Sequence, residues 1–154
     1  MALEFVVSAL FPATPQEVYT TWLSSEGHSG MTGSPASVSA LVGREFDAWD
    51  GYIHGKNLEL EPSKRIIQSW RTSEFSEGEP DSHIEITLEP VGDQTKLILW
   101  HTELPPHGRQ YEQGWVEAYF EPMKEYFLSR KAERKAGRIA SGKAERKKRR
   151  DPHE

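Results

Sequence analysis

The stretch Gly114–Phe127, GWVEAYFEPMKEYF, decides the fold. Trp115, Tyr119, Met123 and Phe127 recur every four residues, and Val116, Phe120 and Tyr126 widen the stripe. That spacing predicts a long amphipathic helix. So much aromatic surface on one face requires a partner, and the chain upstream supplies one as a run of strand-like segments. Pro122 interrupts the stripe. It removes a backbone donor and crowds the carbonyl of Ala118, so a kink or break is expected there.

Working back from the helix, Pro105-Pro106-His107-Gly108 is a break, and Thr95–Leu104 reads as the last strand. His83–Glu89 alternates, with Ile84, Ile86 and Leu88 on one face. Arg65–Thr72, Tyr52–Glu61 and Gly43–Trp49 read as further strands, joined by turns at Pro62-Ser63-Lys64 and Asp50-Gly51. Ala36–Val42 is a candidate short strand, and the glycine-rich segment Glu26–Pro35 reads as a loop with at most one helical turn. Thr14-Pro15-Gln16-Glu17 carries a capping box with proline at the first helical position, so a helix over 15–24 is predicted, burying Val18, Tyr19, Trp22 and Leu23. Leu3–Phe11 is the first strand, with Phe5, Val7, Ala9 and Phe11 on one face. Strands in consecutive hairpins, with helices at either end, specify an α+β domain. The expected architecture is a curved antiparallel sheet of about six strands wrapped round the C-terminal helix, with one or two short helices after the first strand and a cleft between sheet and helix for a small apolar ligand or a protein partner.

The chain of 154 residues contains no cysteine, which excludes disulfides, thiol catalysis and thiolate metal sites and fits a reducing, cytoplasmic setting. It has no apolar run long enough to span a bilayer, and its first residues lack the basic start of a signal peptide. The net charge of −5 is unevenly spread. Residues 129–154 hold eleven Lys/Arg against four Asp/Glu, and the remainder eight against twenty, so a body of −12 carries a tail of +7. The expected division is a domain over 1–128 and a basic tail over 129–154. The tail is expected to extend the helix for a turn or two before Gly137 and then to be disordered.

Three signatures in order carry a resemblance: MTGSPASVSALVGREFDAWDG at 31–51, GYIHGKNLELEPSKRIIQSWR at 51–71 and LPPHGRQYEQGWVEAYFEPMKEYF at 104–127. Within them Gly55, Pro62, Ile66, Trp70 and Arg71, then Gly114-Trp115 and Tyr119-Phe120, stand at matching positions. The chain resembles the activator of heat-shock protein 90 ATPase homologue family, within the START-like (SRPBCC, Bet v 1-like) superfamily. Gly43-Arg44 departs from the Gly-Gly pair often found there. The resemblance implies a helix-grip fold and kinship with the C-terminal domain of co-chaperones that stimulate the chaperone's ATPase. Those co-chaperones carry a further N-terminal domain with no counterpart in this sequence. The first expectation is a non-enzymatic START-like binding domain; a co-chaperone-like contact with heat-shock protein 90 or its clients, rather than ATPase stimulation, is the alternative.

Trp70, Leu99, His101, Trp115, Tyr119 and Met123 are the expected lining of the ligand cleft. The competing reading for the tryptophans is ordinary core packing. On the last strand Leu97, Leu99 and His101 share one face, so Trp100 is expected on the outer surface as a candidate partner or dimer contact. His101 and Glu103, two apart, are the candidate acid–base pair of a cyclase or hydrolase, helped by Tyr111 or His107; no nucleophile–base–orienter set accompanies them. The six histidines are scattered, and phosphate-loop and dinucleotide motifs are absent, so neither metal nor cofactor is expected. The Lys-Lys-Arg-Arg run at 147–150 could touch nucleic acid only weakly, through charge, because no aromatic is interleaved with it.

Overall fold

The computed structural model describes residues 3–148, with side-chain surroundings as far as 136. Six strands, β1 Leu3–Phe11, β2 Glu45–Ala48, β3 Ile53–Glu61, β4 Arg65–Thr72, β5 Ser82–Val91 and β6 Gln94–Leu104, form one antiparallel sheet in the order β1-β6-β5-β4-β3-β2. Only β1 departs from a simple meander: it pairs with the last strand, setting Val6 opposite Trp100 and Val7 opposite Leu99. Helix α1, Pro15–Trp22, starts on the capping box of Thr14 and Glu17. A 3-10 turn at Pro106–Arg109 leads into α3, Gln110–Gly114, a π-helical turn, Trp115–Phe120, and α4, Glu121–Lys148. This continuous helical rod lies across the sheet's inner face, where Phe11, Ile84, Ile86, Leu97, Leu99, Met123 and Phe127 are buried together. The fold is the helix grip.

A second short helix follows the first, α2, Ser25–Thr32, in line with the one or two expected after β1, and it takes up most of the segment read as a loop with one helical turn. Ser24 caps it by accepting from the Gly27 amide at 3.1 Å, and Gly33 ends it with φ +77°. Its internal glycines serve close packing: a Cβ on Gly27 would lie 2.8 Å from the Thr21 carbonyl, and one on Gly30 would lie 2.9 Å from the Tyr126 ring. Ala36–Val42 makes no strand. Among the described residues it contributes one bridge, Ser37 to Asp47.

Pro122 does not break the rod. The backbone amide of Glu121 donates to Val116, five residues back, so the turn ahead of the proline is widened. That widening accommodates a residue that has no amide of its own to donate. α4 then runs through Gly137 to Lys148, beyond the turn or two expected of the tail. The disorder expected at the end of the tail, together with the side chains of 147–150, falls outside the described residues.

Candidate functional site

A cleft of about 360 Å³ opens between the rod and the β2–β3 hairpin, within the size range of small-molecule sites. Tyr111, Trp115 and Tyr119 stand four apart along the rod and form one wall. Gly114 and Ala118 lie on the same wall, and their small side chains leave the space unfilled. A Cβ on Gly114 would meet nothing within 4 Å. Trp70, from the middle of β4, forms the floor, with its ring centroid 5.6 Å from that of Trp115 and 4.9 Å from that of Tyr111. The hairpin brings Trp49, Tyr52 and Ile53 to the opposite side. Trp49 has φ +53°, uncommon for a bulky side chain, and the turn continues through Asp50 and Gly51 at +55° and +88°. The Tyr52 amide closes that turn on the Trp49 carbonyl at 3.1 Å. The strained backbone holds the Trp49 ring edge-on to Tyr119, 6.4 Å away.

Below the floor, His101 is fully buried. The Trp115 indole donates to its Nδ1 at 3.0 Å. Its Nε2 lies 2.9 Å from Ser82 Oγ, whose own hydrogen goes to the Trp70 carbonyl at 2.7 Å. Ser82 can therefore only accept from the ring, so the single imidazole proton sits on Nε2 and Nδ1 is an acceptor. A second proton would meet the Trp115 N–H. Burial, with His83 as a lesser cause, lowers the His101 pKa from 6.5 to about 3. A second buried histidine, His28, completes a similar relay: its Nδ1–H donates to the Trp22 carbonyl at 2.9 Å, and its Nε2 accepts from the Tyr119 hydroxyl at 2.8 Å. Burial lowers its pKa too, against the opposing effect of the Trp22 bond. Both histidines are neutral rivets that fix the angles of Trp115 and Tyr119. Glycine-rich surroundings concealed the role of His28 in the sequence.

Three of the six expected lining residues, Trp70, Trp115 and Tyr119, stand on the cleft wall. Leu99, His101 and Met123 do not; each is fully buried in the layer beneath, because the aromatic residues cover them. The pairing of His101 with Glu103 is also corrected. Between Leu3/Phe5 and Leu104/His101 the ladder carries a bulge, and Glu103 has φ +58°. The extra residue reverses the alternation, so Leu104 turns inward and Glu103 turns out against His83. The suggested helpers are engaged elsewhere: Tyr111 Oη lies 2.6 Å from Thr72 Oγ1, and His107 pairs with Glu79 at 2.9 Å, holding that carboxyl below its ordinary range. Trp49 and Tyr52 went unrecognised as lining, since a strand–turn reading does not reveal that their turn folds over the helix. Trp100 lies on the outer face, 45% exposed, beside Val6 at 58%. Among the described residues no cluster of ligating side chains could hold a metal, and no helix is long and apolar enough to cross a membrane.

The family model described as Activator of Hsp90 ATPase homolog 1-like protein matches residues 12–128. The chain belongs to this family. Activator of 90 kDa heat shock protein ATPase homolog 1 from Homo sapiens is 30% identical over 118 residues, covering 76% of this chain and 35% of that protein. The homolog from Dictyostelium discoideum is 26% identical over 119 residues, covering 76% and 31%. The chain thus spans about a third of the length of these curated relatives. Two solved structures share the helix grip. An HSP90 activator from Plasmodium falciparum aligns with a TM-score of 0.71 at 20% identity, over 77% of this chain and 91% of that one. The Aha1 dimer from Colwellia psychrerythraea aligns at 0.69 and 17%, over 81% and 96%. By its description the family is one of ATPase activators, and the cleft in this member assembles no catalytic set among the described residues.

Proposed function

We propose that this member of the activator family is a START-like binding domain that takes a small apolar ligand into the cleft under the C-terminal helix. One observation carries the reading: an aromatic-lined space kept open by Gly114 and Ala118 on a helix face that is otherwise bulky. A domain needing only a core would fill that face, since each unfilled methyl-sized gap costs on the order of 1 kcal/mol. Native mass spectrometry and a thermal-shift screen against apolar metabolites and lipids test it. A ligand of the cleft raises the Tm of the native chain and loses its effect in Gly114→Leu, whose side chain occupies the space. Equal stabilisation of both proteins would move binding elsewhere and reject the reading.

A second reading rests on the outer face, where Trp100 and Val6 sit directly opposite each other and Leu10 is 45% exposed. Exposed apolar side chains gathered on one sheet face suit a protein contact. The relatives' names point to the 90 kDa heat-shock chaperone as the partner to try first. Pull-down with that chaperone should succeed with the native chain and fail with Trp100→Lys; retention by both would remove the outer face from consideration.

A further inference from the structure

The charge at the cleft mouth narrows the class of ligand. Among the residues lining the cleft, Glu74 is the single charged side chain; the others are aromatic, aliphatic, glycine or the neutral Gln110. Glu74 is held in place from two sides. Its backbone amide donates to Thr72 Oγ1 at 3.1 Å, and the Tyr52 hydroxyl donates to its carboxylate. Thr72 Oγ1 is in turn held by Tyr111 Oη on the opposite wall. Burial and the adjoining carboxylate both keep the Tyr52 phenol protonated, so it remains a donor. Arg71, from the same end of β4, does not neutralise this carboxylate. Its guanidinium is turned onto the carbonyls of Ser76 and Glu79 and the carboxylate of Asp81, at 2.9–3.0 Å.

We infer that the cleft selects ligands whose apolar body carries a cationic amine or quaternary ammonium head, seated at the mouth between Glu74 and the rings of Trp49 and Tyr52. The inference rests on the ligand-binding reading above. Tryptophan and tyrosine faces attract cations through the ring quadrupole, most strongly where water is partly excluded, and Trp49 and Tyr52 are both half-buried. A carboxylate fixed beside those rings adds direct charge attraction and repels anionic heads. Deeper in the cleft Trp70, Trp115 and Tyr119 offer only apolar surface for the body of the ligand. The acidic excess of residues 1–128 favours the approach of a cation from a distance.

Three compounds sharing one body separate the effects: benzyltrimethylammonium, its neutral isostere neopentylbenzene, and phenylacetate. Intrinsic tryptophan fluorescence reads binding to the full chain, to Gly114→Leu and to Glu74→Gln. Glu74 is exposed, so the glutamine variant keeps the fold. The expected result is that the cation binds at least about tenfold more tightly than the isostere, with phenylacetate weakest. Glu74→Gln should remove most of that preference without altering affinity for the neutral compound. Neutral and cationic compounds binding alike, both lost in Gly114→Leu, would overturn charge selection and leave the cleft reading standing. An undiminished preference in Glu74→Gln would overturn the assignment of Glu74. Binding of none of the three would overturn the inference and count against the cleft reading with it.

Discussion

His101 lies on β6 in the layer beneath the cleft, and its ring stays neutral at neutral pH, with its single proton committed to Ser82. Its two nitrogens are saturated by Trp115 and Ser82, and its pKa is held near 3 by burial. The consequence is a stability effect. In the unfolded chain this ring binds a proton below about 6.5, whereas in the native state it resists protonation down to about 3. Stability from this group is therefore complete above 6.5 and falls as pH drops through that window, by up to about 1.4 kcal/mol per pH unit. His28, lowered in the same direction, adds to the slope. Urea denaturation between pH 8 and 5 should show a plateau followed by decline. A second residue-scale prediction concerns Gly55, where a Cβ would lie 1.9 Å from the Ser69 carbonyl of the neighbouring strand. Gly55→Ala forces the β3–β4 ladder apart and should cost about 3 kcal/mol or more, read by the same denaturation experiment.

At the scale of the element, the rod solves a problem of period. A stripe repeating every four residues drifts by about 40° per step round an α-helix of 3.6 residues per turn. From Tyr111 to Phe127 such a drift would carry the last side chain off the sheet. The π-helical turn at Trp115–Phe120 takes up the excess, so Tyr111, Trp115, Tyr119, Met123 and Phe127 all remain buried. The periodicity of the stripe, rather than Pro122 alone, then dictates the wide turn. Pro122→Ala should leave the indole resonance of Trp115 in place and alter stability by less than about 1 kcal/mol. Collapse to a regular helix, seen as a large shift of that resonance, would assign the turn to the proline. Gly114→Ala, at a helical φ of −58° and facing empty space, should stabilise by about 0.5–1 kcal/mol, measured as a rise in Tm.

For the whole molecule, the alternating strands and the C-terminal stripe were legible because burial on one face writes a period into the sequence; β1 and β4 match their expected limits residue for residue. The extent of helix α2 was not legible because Gly27 and Gly30, which signal a loop locally, answer to Thr21 and Tyr126 elsewhere in the fold. The cleft was half legible. Trp70, Trp115 and Tyr119 lie on periodic elements, whereas Trp49 and Tyr52 are aimed by a positive-φ turn, and the bulge at Glu103 undid an alternation that looked regular. The charge division has a modest structural echo: Arg134 pairs with Glu17, and Lys131 with Asp93 at 3.6 Å. Such exposed pairs contribute less than about 1 kcal/mol each. Deleting residues 137–154 keeps both, so it should move Tm by no more than about 2 °C.

The most direct test of ligand binding in the cleft uses the five indole N–H signals in a 15N–1H spectrum, one for each tryptophan. Titration with a stabilising ligand should shift Trp49, Trp70 and Trp115, which line the cleft, and leave Trp100 on the opposite face of the sheet unmoved. Movement of Trp100 alone, with the three cleft signals still, would contradict the account and place binding on the outer surface.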